Sequence, residues 1–240
     1  VELLKAYHNL LKKKRIKPNK KLENLLRKKR IRSLSGIAVV SVLTKPYPCP
    51  GKCIYCPTQK GIPKSYLSNE PAVMRAVLTK FDPYKQVKAR LKSLEATGHP
   101  TDKIELIVIG GTWSYLPKRY QTWFIKRCFE ACNEKKSKVK RRKAKGRILS
   151  KRKMKTLIEV QKINEKAGHR IVGITLETRP DYITEEEIKR MRYLGATRCE
   201  IGVQSIYDDI LKLNKRGHSI AETIKATQLL KDAGFKVCYH

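Results

Sequence analysis

Five short apolar runs rich in Val and Ile recur along the chain: Gly36–Leu43, Ile104–Ile109, Arg170–Glu177, Thr197–Val203 and Phe235–Tyr239. Runs of this length and β-branching read as buried strands. The stretches between them read as helices, at Asn69–Leu78, Asp82–Thr97, Pro117–Asn133, from about Ser150, after Thr184, from Ile206, and from Ser219 to Ala233. Asp82 is a candidate N-cap with Pro83 at the first helical position, and Thr184 with Glu187 reads as a capping box. Strands alternating with helices predict an α/β fold with a parallel sheet and right-handed crossovers. In parallel α/β barrels the chemistry collects at the C-terminal ends of the strands. Polar or glycine-rich motifs follow the strands here, which predicts one functional rim.

The first strand delivers Cys49-Pro-Gly-Lys-Cys53-Ile-Tyr-Cys56, a C-x3-C-x2-C loop. Thiolates suit iron–sulfur clusters, zinc or copper(I). A 4Fe–4S cluster normally takes four cysteines, so three would leave one iron open to a substrate or cofactor. A tetrahedral zinc site wants a fourth Cys or His at short spacing, and the next candidates, His99 and Cys128, lie far downstream. Seven cysteines are an odd number, and no secretory segment precedes them, which points to a reducing compartment rather than a disulfide. Unrelated thiols are the bland alternative. The surrounding Pro46, Pro48, Pro50, Gly51 and Pro57 are not a core pattern. Cys128 and Cys132, one helical turn apart, could ligate a metal, but without further ligands they read as small hydrophobes on a helix face.

Charge narrows the partner. Lys and Arg number 55 against 21 acids, a net +34. Self-repulsion of that size is relieved by a polyanion, nucleic acid first and an anionic membrane surface second. A lysine-rich composition throughout is the bland alternative, against which the clustering of the charges speaks. Residues 1–33 carry 13 basic residues and read as two short helices broken at Pro18. Lys12, Lys13, Lys14 and Arg15, then Arg27, Lys28, Lys29 and Arg30, fall near the helix ends. They are candidates for RNA phosphate contacts, although cations are favoured at helix C-termini in any case. Lys135–Lys155 holds 13 basic residues and no acid, densest at Arg141, Arg142 and Lys143 and at Lys151–Lys153. It lacks aromatics, so phosphate contact rather than base stacking is its expected mode, with a solvated insert as the alternative. No stretch approaches the roughly 20 apolar residues of a membrane span and no signal peptide is visible, so a cytoplasmic protein without membrane contact is expected. The chain starts at Val1, which leaves room for a natural start upstream.

With Tyr55 before Cys56 the loop reads C-x3-C-x-aromatic-C, which resembles the signature of radical S-adenosylmethionine (SAM) enzymes. Further segments resemble the family of the Elongator catalytic subunit: Gly36–Leu43, Cys53–Pro57, Ser65-Tyr66, Asn69-Glu70-Pro71, Met74-Arg75-Ala76 and Phe81–Tyr84. So do Gly110-Gly-Thr112, Glu177-Thr-Arg-Pro-Asp181, Gly202-Val-Gln-Ser205 and Asn214-Lys-Arg-Gly-His218. The resemblance runs from about Gly36 to His240.

It implies a partial parallel (β/α) barrel over residues 36–240, incomplete at its C-terminus, with a basic insert at 134–155. Residues 1–35 would be a basic helical tRNA-binding segment. A sixth strand and an acetyltransferase domain, both typical of the family, are not in this chain. By the same resemblance Cys49, Cys53 and Cys56 would hold a 4Fe–4S cluster whose open iron takes the amine and carboxylate of SAM. Tyr55 would pack near the adenine. Gly110, Gly111 and Thr112 would lie at the methionine amino group, where Glu is commoner than Thr; without the resemblance they read as a strand-to-helix turn. Glu177, Arg179 and Gln204 are candidates for ribose, carboxylate or substrate contacts, unless Glu177 and Arg179 simply pair across the rim. No catalytic side chain is assigned.

The implied reaction uses a 5′-deoxyadenosyl radical to activate the methyl of acetyl-CoA, which then adds to C5 of the wobble uridine of tRNA and leaves a carboxymethyl group. Expected partners are tRNA and either a second copy or accessory subunits. Two readings compete: another radical SAM enzyme, such as a methylthiotransferase or porphyrinogen oxidase relative, and a zinc-stabilised RNA-binding module without catalysis. His218 reads as a loop histidine without a chemical role, and His8, His99 and His169 as surface or turn residues.

Overall fold

The computed structural model describes residues 2–134 and 155–240. The strands are β1 (Ala38–Leu43), β2 (Lys103–Ile109), β3 (Arg170–Thr178), β4 (Arg198–Ile201) and β5 (Lys236–Tyr239). They form one sheet in sequence order, with every neighbouring pair parallel. The registers Leu43↔Ile109, Val108↔Leu176, Thr178↔Ile201 and Ile201↔Tyr239 bring the C-terminal ends to one rim. The sheet is not closed; β1 and β5 are its edges.

The helices are α1 (Glu2–Lys12), α2 (Lys20–Leu26), α3 (Pro71–Leu78), α4 (Pro83–Ala96), α5 (Lys118–Asn133), α6 (Leu157–Asn164), α7 (Glu185–Leu194), α8 (Asp208–Leu213) and α9 (Ile220–Asp232). Asp82 caps α4 by accepting from the Lys85 amide, and Thr184 caps α7 by accepting from the Glu187 amide. The start expected at about Ser150 lies outside the described residues; among those described, α6 begins at Leu157, where Thr156 and Glu159 form a reciprocal capping box. Capping fixes that start because two otherwise unpaired groups at the first turn find partners there.

Strand alternation divides the side chains between two faces. Val40 and Val42, Leu106 and Val108, and Ile174 and Leu176 join one core with Leu91, Phe124, Leu157 and Met191 of the surrounding helices. Glu105, Thr175, Glu177 and Glu200 occupy the alternate positions, on the opposite face of the sheet, called the lumenal face below. There Arg198 pairs with Glu105 at 2.8 Å, reaching from β4 to β2. Cys128, Cys132 and Cys199 are buried in the apolar core.

The basic N-terminal segment is helical and packs under the opposite end of the sheet. Leu4 and Tyr7 are buried from α1. Arg27 Nε donates to the Gly98 carbonyl at 2.9 Å, and the Lys28 amide to the Thr97 carbonyl at 3.2 Å. His99 and His169 are buried, which corrects their reading as surface or turn residues. His99 Nδ1 meets Ser33 Oγ at 2.8 Å, so the docked N-terminal segment is what covers it. His169 Nδ1 donates to the Thr101 carbonyl at 2.8 Å and its Nε2 lies 3.7 Å from Glu95. Among the described residues no helix is long and apolar enough to cross a membrane.

Candidate functional site

The cysteine loop is anchored at several points. The Thr44 amide extends the β1 ladder onto the Ile109 carbonyl at 3.0 Å, and the Lys45 amide donates to Tyr120 Oη at 3.0 Å. Beyond Cys53, the Ile54 amide donates to the Asn214 carbonyl at 3.2 Å, which ties the loop to the segment after α8. The three thiols face a cavity of about 360 Å³ whose other walls include Thr112, Glu177 and Gln204. Cys49 Sγ is 3.4 Å from the Gly51 amide and 3.9 Å from Thr112 Oγ1. Cys53 Sγ accepts from Arg216 Nη1 at 3.4 Å, and Cys56 Sγ lies 3.2 Å from Ser65 Oγ.

Arg179 completes the electrostatics. It is 5% exposed, and its Nε and Nη2 hold Asp181 at 2.9 and 2.8 Å. Its Nη1 is buried and has no partner. A Cβ added at Gly51 would stand 2.6 Å from that Nη1, 3.5 Å from Cys53 Sγ and 3.6 Å from Cys49 Sγ. Glycine at this point lets the backbone, two thiols and a guanidinium converge. A buried, unpaired guanidinium nitrogen beside two half-buried thiols, Cys49 and Cys53, fits an anionic group held among them. Iron–sulfur clusters with thiolate ligands are of that kind.

On the opposite wall Tyr66 Oη donates to Glu177 Oε2 at 2.5 Å. Removal from water, reinforced by the Glu177 charge, pushes the Tyr66 hydroxyl well above its usual range. Removal from water also raises the Glu177 carboxyl. The Gly110 backbone interacts with both groups. Gly110 itself does not line the cavity. Its φ of +136° suits glycine, and a Cβ there would collide with Thr44 Oγ1. Gly111 and Thr112 do line the cavity. Tyr55, 46% exposed, stands at its mouth. Gln204 has a φ of +69°, and its amide donates to the His240 carbonyl at 2.6 Å.

The structure thus brings together Cys49, Cys53, Cys56, Tyr55, Gly111 and Thr112 with Glu177, Arg179 and Gln204. Glu177 and Arg179 do not pair; each has its own partner, Tyr66 and Asp181. Arg216, Tyr66 and Ser65 are site residues to which the sequence assigned no role. Their only signal was membership in the segments that carry the family resemblance. Lys12 at the end of α1 and Lys13, Lys14 and Arg15 just past it are exposed, as are Lys28, Lys29 and Arg30 of the second basic cluster, whereas Arg27 is half-buried and engaged with Gly98. Arg141, Arg142 and Lys143 lie outside the described residues. In the lumen Glu200, Cys238 and His240 bring a carboxylate, a thiol and an imidazole within 4.8 Å of one another.

A parallel, unclosed sheet with a three-cysteine loop after its first strand defines an α/β protein of radical SAM type. Residues 47–240 match the Radical SAM superfamily, and the chain belongs to it. Membership implies an iron–sulfur cluster and SAM. Among curated proteins the chain is 54% identical over 216 residues to the tRNA uridine(34) acetyltransferase of Methanocaldococcus infernus, which spans 88% of this chain and 37% of that protein. It is 38% identical over 224 residues to Elongator complex protein 3 of Homo sapiens, again over 88% of this chain and 37% of the other. Among solved structures, the M. infernus Elp3 with an N-terminal deletion superposes with a TM-score of 0.64 at 48% identity, covering 85% of this chain and 37% of that one. The chain therefore spans little more than a third of the length of these relatives.

Proposed function

We propose that this chain is the radical SAM portion of a tRNA-modifying enzyme that forms a carboxymethyl-type modification at C5 of the wobble uridine, with acetyl-CoA as co-substrate. Residues 1–35 form a basic tRNA-binding segment in this reading, and residues 36–240 the partial barrel with its insert at 134–155. The observation that carries it is the single cavity in which the three thiols of the cysteine loop meet Thr112, Glu177 and Gln204 from three other strand ends. Relatives named for tRNA uridine(34) chemistry support the choice of substrate.

Cys49, Cys53 and Cys56 hold the cluster. When bound, the cluster and SAM supply one-electron hydrogen-abstraction chemistry, and the protein supplies position and shelter. Arg216 and Arg179 offset the negative charge of the thiolates. Thr112 and the Gly111 backbone would lie toward the methionine moiety of SAM, and Tyr55 near its adenine; all three line the cavity. Tyr66 fixes the Glu177 carboxylate toward the cavity, where it can accept a hydroxyl proton from a ribose or substrate.

The test is iron and sulfide analysis after anaerobic reconstitution, followed by reduction with SAM and assay for 5′-deoxyadenosine. About four irons per chain, with cleavage lost in Cys53→Ala, is the expected result. A Cys238→Ala control separates cluster iron from metal taken up by the lumenal Glu200–Cys238–His240 group. Colourless, zinc-loaded protein that binds tRNA would overturn the reading in favour of a zinc-stabilised RNA-binding module.

A further inference from the structure

A second cleft lies on the outer side of the cysteine loop. It is about 760 Å³ in volume and runs between Lys52 and the turn joining α8 to α9. Gly51, Arg179 and Arg216 line both this cleft and the cluster cavity, so one layer of residues separates the two. We propose that this cleft binds a phosphate group. The proposal rests on the reading of tRNA as substrate, because a backbone phosphate flanking the modified nucleotide is the source it favours.

The charge inventory is the first argument. Each acid lining the cleft is already engaged. Asp181 is held by Arg179. Asp208 accepts from the Ile220 amide at 2.8 Å. Glu222 accepts from the Ser219 amide and hydroxyl at 2.7 and 2.9 Å. Lys52, Lys212 and Lys215 are exposed and enter none of the ion pairs found among the described residues. The cleft therefore presents three uncommitted ammonium groups beside acids that are already satisfied.

The second argument is independent of charge. His218 lines the cleft, is only 6% exposed, and neither of its ring nitrogens has a hydrogen-bond partner. Buried polar groups are normally paired, and an unpaired one asks for a ligand. Phosphate oxygens can accept from several ammonium groups at once. A carboxylate has fewer acceptors, and an apolar ligand would leave the donors unused.

Two sources carry that chemistry: the RNA backbone diester and the phosphates of a small co-substrate. The experiment uses the intact protein. Acetylation of Lys52, Lys212 and Lys215 by an amine-reactive reagent is mapped by mass spectrometry, alone, with inorganic phosphate, and with tRNA. In parallel, tRNA affinity is measured against salt for wild type, for Lys212→Gln/Lys215→Gln, and for Lys85→Gln/Lys103→Gln as a remote control. Protection by tRNA, an affinity loss of about fivefold to tenfold and a salt slope shallower by about 1.4 for two lost contacts support the backbone as source. Protection by inorganic phosphate alone, with tRNA affinity unchanged, supports the cleft with a small phosphorylated co-substrate as source. Absence of protection by either overturns the proposal. Failure of wild-type protein to bind tRNA overturns the substrate reading instead, and the inorganic phosphate arm still decides the cleft.

Discussion

Tyr66 donates its hydroxyl to Glu177 across 2.5 Å, joining the segment just beyond the cysteine loop to the end of β3, 111 residues later. The bond holds a carboxylate toward the cavity against the cost of taking it out of water, so function and stability pull in opposite directions at this residue.

Glu177→Gln tests that tension. Burial raises the Glu177 carboxyl above its unfolded value. A raised acid contributes stability that is present below the unfolded pKa and is lost as pH rises through the folded one. The neutral amide should gain little at about pH 4 and most at about pH 8, where its melting temperature should exceed wild type by about 2–4 °C. Thermal unfolding of both proteins across that range checks it. A constant difference at every pH would count against burial as the cause. SAM retention should fall in the same variant.

Gly51→Ala separates site from fold. The new methyl meets Arg179 Nη1, and Arg179 cannot swing aside because Asp181 holds it at two nitrogens. Iron content after reconstitution should drop at least about twofold, while the melting temperature moves by about 2 °C or less. Full iron loading would show that the close approach is incidental.

The cysteines should sort into two chemical groups. Burial pushes Cys128 well above the usual thiol range and raises Cys132 and Cys199 to about 12. At neutral pH these three carry negligible thiolate, the reactive form. In cluster-free native protein, iodoacetamide should label Cys49, Cys53, Cys56 and Cys238 and spare the others. Peptide mass mapping reads this directly, and labelling of Cys128 before unfolding would contradict the burial.

The N-terminal basic residues should divide in the same way. Arg27→Ala removes a charge-assisted bond to Gly98 and should cost about 1.5–3 kcal/mol at most, less for its partial exposure, seen as a lower melting temperature. Neutralising Lys12, Lys13, Lys14 and Arg15 together should leave the melting temperature unchanged and flatten the salt dependence of tRNA binding by up to about 3. Equal effects of the two variants on stability would remove the distinction.

What could be read from the sequence was local. Three thiols within eight residues state a ligand set, and a capped apolar run states an element, because nothing distant decides either. Strand ends could be matched to motifs for the same reason, and the parallel order then put the motifs on one rim. Arg216 could not be read this way. Its thiol partner is 163 residues away, and no spacing rule links them. His99 and His169 were misplaced because their cover comes from Ser33 in the N-terminal segment and from the Thr101 backbone. Glu177 was picked as a site residue, but its actual partner, Tyr66, depended on how the loop after Cys56 returns to the sheet.

The sheet is built in strict chain order, and that order sets a schedule for the metal. All three thiols emerge with the first strand, while the guanidinium groups that steady them belong to segments following β3 and β4. During synthesis the cysteines are present long before Arg179 and Arg216 exist. A cluster delivered early would meet three thiols on an unanchored loop with no neutralising charge. Only when the chain has passed Arg216 does the loop gain its tie to Asn214 and its full electrostatic frame. On the proposed reading, a cluster taken up after this part of the fold is assembled would meet thiols already framed by Arg179 and Arg216.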